Sequence, residues 1–394
     1  MKANRAYNML ETRSYPTRPS SSIGHRRGNR LGPQWDFTLS IAAASPWIQA
    51  GVPAIVLAPM EGVADGPMRA LLSELGGFTF CVAEFLRVSK AAPGMRVFQR
   101  HVPELMHGGK TPAGLPVQVQ LLGGDPDKLA RAALASIRAG ARAVDLNFGC
   151  PARTVNRHDG GATLLQYPDR IRAIVTAVRA AAPAHVPVSA KMRLGWDRID
   201  AIHVNADRAA EGGAAWITVH ARTKAQGYRP PAYWKPLGEV RARLSIPVVA
   251  NGEIWTIDDL RRCRDETGCQ HFMLGRGALA DPTLGRQAAR ELGIPGAGLL
   301  PSFQRTPAEW LPLISRYGEL SRAAGMPPAY ILCRVKQWLR MTNHDGKQAW
   351  FDTLKGCQDL VELLDALRGQ AGDVRGTSLE FSVPFASVGS EPVS

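Results

Sequence analysis

From Ala54 onward, short apolar runs alternate with longer stretches in which apolar residues recur every three to four positions. The runs are Ala54–Met60, Phe78–Phe85, Pro116–Leu122, Ala143–Asn147, Pro187–Met192, Trp216–His220, Pro247–Asn251 and His271–Leu274. Each has strand length, and helical spacing follows, as in Pro126–Ala139, Asp169–Ala181, Ala201–Glu211, Tyr233–Leu244 and Thr256–Thr267. Asp125-Pro126-Asp127, Pro168-Asp169 and Thr256-Ile257-Asp258-Asp259 mark helix starts. Eight strand–helix alternations within roughly 240 residues predict an α/β fold, a (β/α)₈ TIM barrel. A doubly wound sheet is the alternative, disfavoured because no GxGxxG follows the first strand.

Past Gly293 a linker with Pro295, Pro301 and Pro307 leads into three helical patterns, near 307–324, 328–343 and 347–368, read as a small helical bundle. The expected division is a catalytic barrel over 53–298 and a helical domain over 304–370. Residues 1–50, rich in Arg, Ser, Pro and Gly and without periodicity, read as a disordered extension or a start codon set too early, and 373–394 as a disordered tail. Many arginines with few acids also suit a mitochondrial transit peptide, but the Ala-, Arg- and Gly-heavy chain fits a GC-rich bacterial gene at least as well.

No apolar run approaches the roughly 18 to 20 residues of a membrane helix, which predicts a soluble, cytoplasmic protein without membrane association. The net charge of +14 favours a polyanionic partner such as nucleic acid. Seven cations against two acids leave residues 1–50 at +5, so the remainder is basic as well. The six cysteines form no disulfide framework and suit a reducing compartment. Cys263, Cys269 and His271 are spaced too widely for a zinc site, and no metal is expected.

Chemistry in a barrel sits where strands end. There the chain places Met60-Glu61, Glu84, Gln120, Asn147 with Cys150, Lys191 with Arg193, His220, Asn251 with Glu253, and Gly275-Arg276. Singly, each has a bland reading as a snorkelling lysine, a core histidine or a loop tie; together they converge on one mouth. Cys150 is flanked by Gly149 and Pro151, which stop its strand and fix a turn, a setting that a packing cysteine does not need.

The string NFGCPARTVNRHDGGATLL at 147–165, with LAPMEGVAD at 57–65, resembles the tRNA-dihydrouridine synthases, flavoenzymes that reduce uridine in the D-loop of tRNA. AEFLRV at 83–88, VHARTKAQGYR at 219–229 and RVKQWL at 334–339 resemble the C subgroup, which acts on nucleotide 16. The resemblance implies FMN as cofactor, NADPH or NADH as electron donor, and Cys150 as the acid that protonates uracil C5. Asn251-Gly252-Glu253 and Gly275-Arg276 supply backbone approach and a guanidinium for the FMN phosphate. Gln120 and Lys191 suit the pyrimidine edge and the N1 side of the ring, with Pro59, Met60 and His220 against the flavin and Glu61 in the same loop.

For the substrate, the resemblance implies that Asn147 meets the uracil edge and that Arg87, Tyr228, Arg334, Lys336 and Lys355 contact tRNA; Arg193, at the end of its strand, is read from its position as a second contact to the uracil edge. The basic C-terminal stretch also holds Arg316, Arg322, Arg340, His344 and Lys347, with Tyr330, Trp338 and Trp350 interleaved; a solvated helix face with core tryptophans is the simpler alternative. Met341 and Lys355 depart from the subgroup, where an aromatic polar residue and an arginine are expected. A monomer is expected. The competing readings are reduction at nucleotide 20, a small-molecule flavin barrel such as a dihydroorotate dehydrogenase, and an inactive RNA-binding barrel.

Overall fold

The computed structural model describes residues 47–89, 91–157, 159–298, 303–343, 346, 348 and 350–371. The expected disordered segments therefore lie outside the described residues except for 47–50, as do His344 and Lys347. The strands are β1 (Ala54–Leu57), β2 (Phe80–Val82), β3 (Leu86–Arg87), β4 (Val117–Leu122), β5 (Val144–Phe148), β6 (Val188–Arg193), β7 (Ile217–His220), β8 (Val248–Asn251) and β9 (His271–Leu274). All pairings between these strands are parallel, and β2 bonds both β1 and β4, so the sheet closes into a barrel rather than an open doubly wound sheet.

The predicted strand Phe78–Phe85 is in fact two pieces, β2 and β3, on one stave of the barrel. Pairing runs as far as the Ala83 N–H, which donates to the Gln118 carbonyl at 2.9 Å, and resumes where Leu86 aligns with Leu121. Between them Glu84 leaves the ladder, and its carboxylate accepts the N–H of Gly62 in the loop after β1.

The helices begin where their caps are. Asp65 accepts from Met68 N at 3.0 Å to start Gly66–Leu75, and Asp125 accepts from Lys128 N at 2.9 Å to start Pro126–Arg138, each with proline in the first turn. Thr256 and Asp259 form a reciprocal capping box at the head of Ile257–Thr267, and Gly268 ends that helix at φ 63°.

Strand parity divides the core. Ile55, Leu57, Val119, Leu121, Leu146, Val219 and Phe272 pack outward against helices, while Ala54, Val56, Phe80, Trp216, Val249 and Met273 form a separate inner cluster. At the floor of the barrel Trp47, Phe80 and Trp216 meet edge to face, with centroids 5.2 and 6.0 Å apart.

The last part of the chain forms helices Pro307–Ala323, Pro328–Thr342, Phe351–Leu354 and Leu360–Ala371, so the expected helix at 347–368 is interrupted. Trp310, Tyr317 and Trp338 are fully buried among them. The Trp338 indole N–H donates to Leu279 O at 3.1 Å, the Arg316 guanidinium grips Glu74 at 2.9 and 2.8 Å, and the Tyr317 hydroxyl donates to Asp65 at 3.0 Å. These bonds dock the helices on the barrel. Among the described residues no helix is long and apolar enough to cross a membrane.

Candidate active site

A cavity of about 540 Å³ opens at the carboxyl ends of the strands, within the range of small-molecule sites. It brings together Pro59, Met60, Glu61, Asn147, Cys150, Lys191, Arg193, His220, Tyr228, Asn251, Gly252, Glu253, Gly275 and Arg276. Gln120 is not on this wall: it lies beneath, 1% exposed, its amide held between Asp145 and Asn147. Sequence reading did not anticipate Phe85, Trp255 or Met341 as lining residues. Met341 comes from Pro328–Thr342, a helix outside the barrel, and strand-end position gives no signal for such a residue.

The Cys150 turn is built from both sides. Asn147 Oδ1 accepts the N–H groups of Gly149 and Cys150, each at 2.9 Å, and Arg193 Nε donates to Gly149 O at 2.9 Å. The Cys150 carbonyl accepts from Ala162 N at 3.1 Å, and Gly161, at φ 61°, has room only for hydrogen: a Cβ there would lie 2.8 Å from Val155 and 2.9 Å from the Cys150 carbonyl. Burial pushes the Cys150 thiol up from its ordinary value, with Glu61 adding to the rise, while the Ala152 N–H and the charges of Arg193 and Arg87 oppose it. The thiol is therefore protonated at neutral pH.

The same cavity holds basic groups, beginning on the neighbouring strand β6. Lys191 Nζ donates to Asn251 Oδ1 at 3.2 Å, and Asn251 Nδ2 donates to Met273 O at 2.7 Å, which fixes the amide orientation. Burial, reinforced by Arg193, pulls Lys191 down to about 8, and burial with the charges of Arg193 and Lys191 holds His220 neutral. Gly252, at φ 108°, lets the backbone pass His220, since a Cβ would stand 2.7 Å from the imidazole. The Arg276 guanidinium lies over Tyr228 and Trp255, 4.8 and 5.0 Å from their centroids, and 3.9 Å from Glu253, which also pairs with the buried Arg222.

The residues expected to meet tRNA separate. Tyr228, 56% exposed, stands at the cavity mouth beside Arg193, whose guanidinium also donates to the carbonyls of Thr223 and Gly227 at 3.1 and 2.7 Å. Arg87 is exposed outside the cavity. Arg334 is half-buried and donates to Gly62 O and to Gln337 Oε1; Lys336 donates to the carbonyls of Lys355 and Cys357, at 2.9 and 2.5 Å; Lys355 pairs with Asp352.

Comparison with known proteins agrees with this geometry. A model of the dihydrouridine synthase (Dus) family matches residues 56–370. A tRNA-dihydrouridine(16) synthase of Pseudomonas putida is 45% identical over 300 residues, 75% of this chain and 90% of that one. Proteins of the same name from Shewanella oneidensis and Ralstonia nicotianae are 43% and 42% identical, covering 79% of this chain and 97% and 94% of theirs. With a parallel barrel whose mouth holds a protonated cysteine together with buried cations, and with this match along nearly all of the described chain, the protein belongs to the dihydrouridine synthase family.

Proposed function

We propose that this protein reduces the C5–C6 double bond of uridine 16 in the D-loop of tRNA, with FMN in the barrel mouth and NADPH as the reductant, as a cytoplasmic monomer. The observation that carries the reading is Cys150: a protonated thiol, fixed by three backbone contacts, facing the same cavity as Lys191, His220 and Arg276.

The residues present fit FMN. Gly275 gives backbone without a side chain beside Ala58 and Met60, and Arg276 beside it supplies a cation for a phosphate. Lys191 would balance negative charge on the reduced ring, and Pro59, Met60 and neutral His220 would supply walls. Gln120 supports Asn147 from below. When bound and reduced, FMN supplies the hydride that adds to uracil C6.

The protein's own part is to hold the base and deliver the proton. A uridine stacked in folded tRNA must be flipped out to enter the mouth. Tyr228 stands where it can stack on the incoming nucleotide, and Asn147, whose Nδ2 gives one hydrogen to Gln120 Oε1, has a second for a uracil carbonyl. Cys150 Sγ–H then transfers its proton to C5, so that hydride and proton together saturate the bond. Arg87, Lys336 and Lys355 grip phosphates around the mouth, with Arg334 acting through the loop that it holds.

The test is complementation of a strain lacking all its dihydrouridine synthases, followed by site-resolved mapping. Dihydrouridine at 16 is the expected result. Its appearance at 20 alone would move the docking assignment, and its absence from tRNA altogether would overturn the reading.

A further inference from the structure

Beneath the cavity, ending at Asn147 on its wall, runs a column of polar side chains whose lower members, Gln118, Ser189 and Asp145, the proposed reaction does not use. Gln118 Nε2 donates to Ser189 Oγ at 2.9 Å, and Ser189 donates to Asp145 Oδ1 at 2.5 Å. Gln120 Nε2 donates to Asp145 Oδ2 at 2.6 Å, Asn147 Nδ2 donates to Gln120 Oε1 at 2.8 Å, and Asn147 Oδ1 takes the N–H groups of Gly149 and Cys150. The column starts near the floor of the barrel and ends on the catalytic turn.

Its hydrogen bonds have one direction, and Asp145 sets it. An amide presents a donor at one end and an acceptor at the other, so an acceptor at position 145 forces Gln120 to offer its oxygen to Asn147, and Asn147 to offer its own oxygen to the turn. Reversal of Asn147 would aim an NH₂ group at two backbone N–H donors, and reversal of Gln120 would set its oxygen against the Asp145 carboxylate and its NH₂ against that of Asn147; in a buried site either is costly. Asp145 is 2% exposed and lines no part of the cavity.

We propose that Asp145 is a positioning residue that, acting through Gln120 and Asn147, orients the turn carrying Cys150. The inference rests on the reading of Cys150 as the proton donor, but its test does not require turnover. Burial pushes the Asp145 carboxyl up, against the bonds from Ser189 and Gln120 and the charge of Lys191. An Asp at this depth is retained at a cost, as a residue with a positioning role would be.

The experiment is a double-mutant cycle on the flavin-free protein, read by denaturant unfolding. In Asn147→Asp an acceptor meets Gln120 Oε1, and flipping Gln120 only moves the conflict to Asp145. In Asp145→Asn, Gln120 loses its fixed orientation. The double variant restores a consistent column with the Gln120 amide reversed: the carboxylate introduced at position 147 accepts from the turn and from Gln120, and the amide introduced at position 145 donates to Gln120. The expected result is a folding equilibrium for the double variant about tenfold or more above the value predicted from the two single changes. Additive effects, or a double variant no more stable than Asn147→Asp alone, would overturn the proposal.

A second readout is iodoacetamide alkylation of Cys150 in a Cys333→Ser background, which removes the exposed thiol and leaves the other four buried. Asp145→Asn should alkylate faster than its parent, because the turn is no longer held in one orientation. An unchanged alkylation rate would count against positioning.

Discussion

Arg334 donates to the carbonyl of Gly62, 272 residues away in sequence, while Glu84 takes the N–H of the same glycine. A residue of the C-terminal helices thus fixes the loop that carries Met60 and Glu61 into the cavity. Arg334 is half-buried, its guanidinium lies 4.7 Å from the Tyr330 centroid, and its Nη1 is committed to Gly62 and Gln337 within the fold. Arg334→Ala should lower stability by about 1–2 kcal/mol through the unpaired carbonyl. Its tRNA affinity should keep nearly the parent's salt dependence, whereas loss of a phosphate contact lowers the log–log slope by roughly 0.9. Titrations at several salt concentrations decide between them, and a full unit lost at unchanged stability would return Arg334 to the RNA contacts.

Cys150→Ala should retain flavin and tRNA binding and lose about 10²–10⁴-fold in uridine reduction, since only proton delivery is removed. NADPH oxidation should survive. A general acid works while protonated, and burial raises this thiol above its ordinary value of 9.0. Single-turnover reduction by pre-reduced enzyme should therefore stay flat through neutral pH and decline only on the alkaline side of 9. A fall centred near pH 7 would show that another group delivers the proton.

Arg276→Ala should weaken FMN retention by roughly 1.5–3 kcal/mol, or about one to two decades in affinity, through the loss of a charged phosphate contact. Fluorescence of released flavin on dilution measures it. Retention equal to the parent would place the phosphate elsewhere.

His271 is buried inside the barrel, its Nδ1 has no partner, and burial alone pulls it from 6.5 to about 4. The unfolded chain binds a proton below 6.5 and the folded protein does not until about 4, so this residue makes stability fall as pH drops through that window and contributes nothing to the slope above it. The full effect is about 3 kcal/mol. The difference in unfolding free energy between the parent and His271→Gln, followed from pH 7.5 to 4, should carry that slope. A difference independent of pH would show that His271 protonates alike in both states.

The barrel was legible because its strands are short apolar runs set between capped helices, and Asp125 and Thr256 cap where helix starts were expected. The broken second stave was not, since Phe78–Phe85 looks continuous until Gly62, far off in sequence, claims Glu84. Strand ends located most of the cavity lining, because βα turns face the mouth by construction. They misplaced Gln120, whose neighbours Asp145 and Asn147 turn its amide inward, and they said nothing of Met341, which arrives from a separate helix. The basic C-terminal residues were read from residue type and from the resemblance carried by RVKQWL, and neither shows whether a carbonyl already holds the charge, as carbonyls hold Arg334 and Lys336.

The parity of the barrel strands also bears on how the chain finds its fold. In β5, Leu146 faces the helices while Asp145 and Asn147 face the lumen. A slip of one residue would exchange them, driving a carboxylate and an amide into the apolar layer beneath the helices and turning leucine toward the polar column. In a barrel with a uniformly apolar lumen, misaligned staves would differ little in energy from aligned ones. Here the groups that serve the site also make a wrong alignment expensive, so the chemistry at the centre doubles as proofreading during assembly.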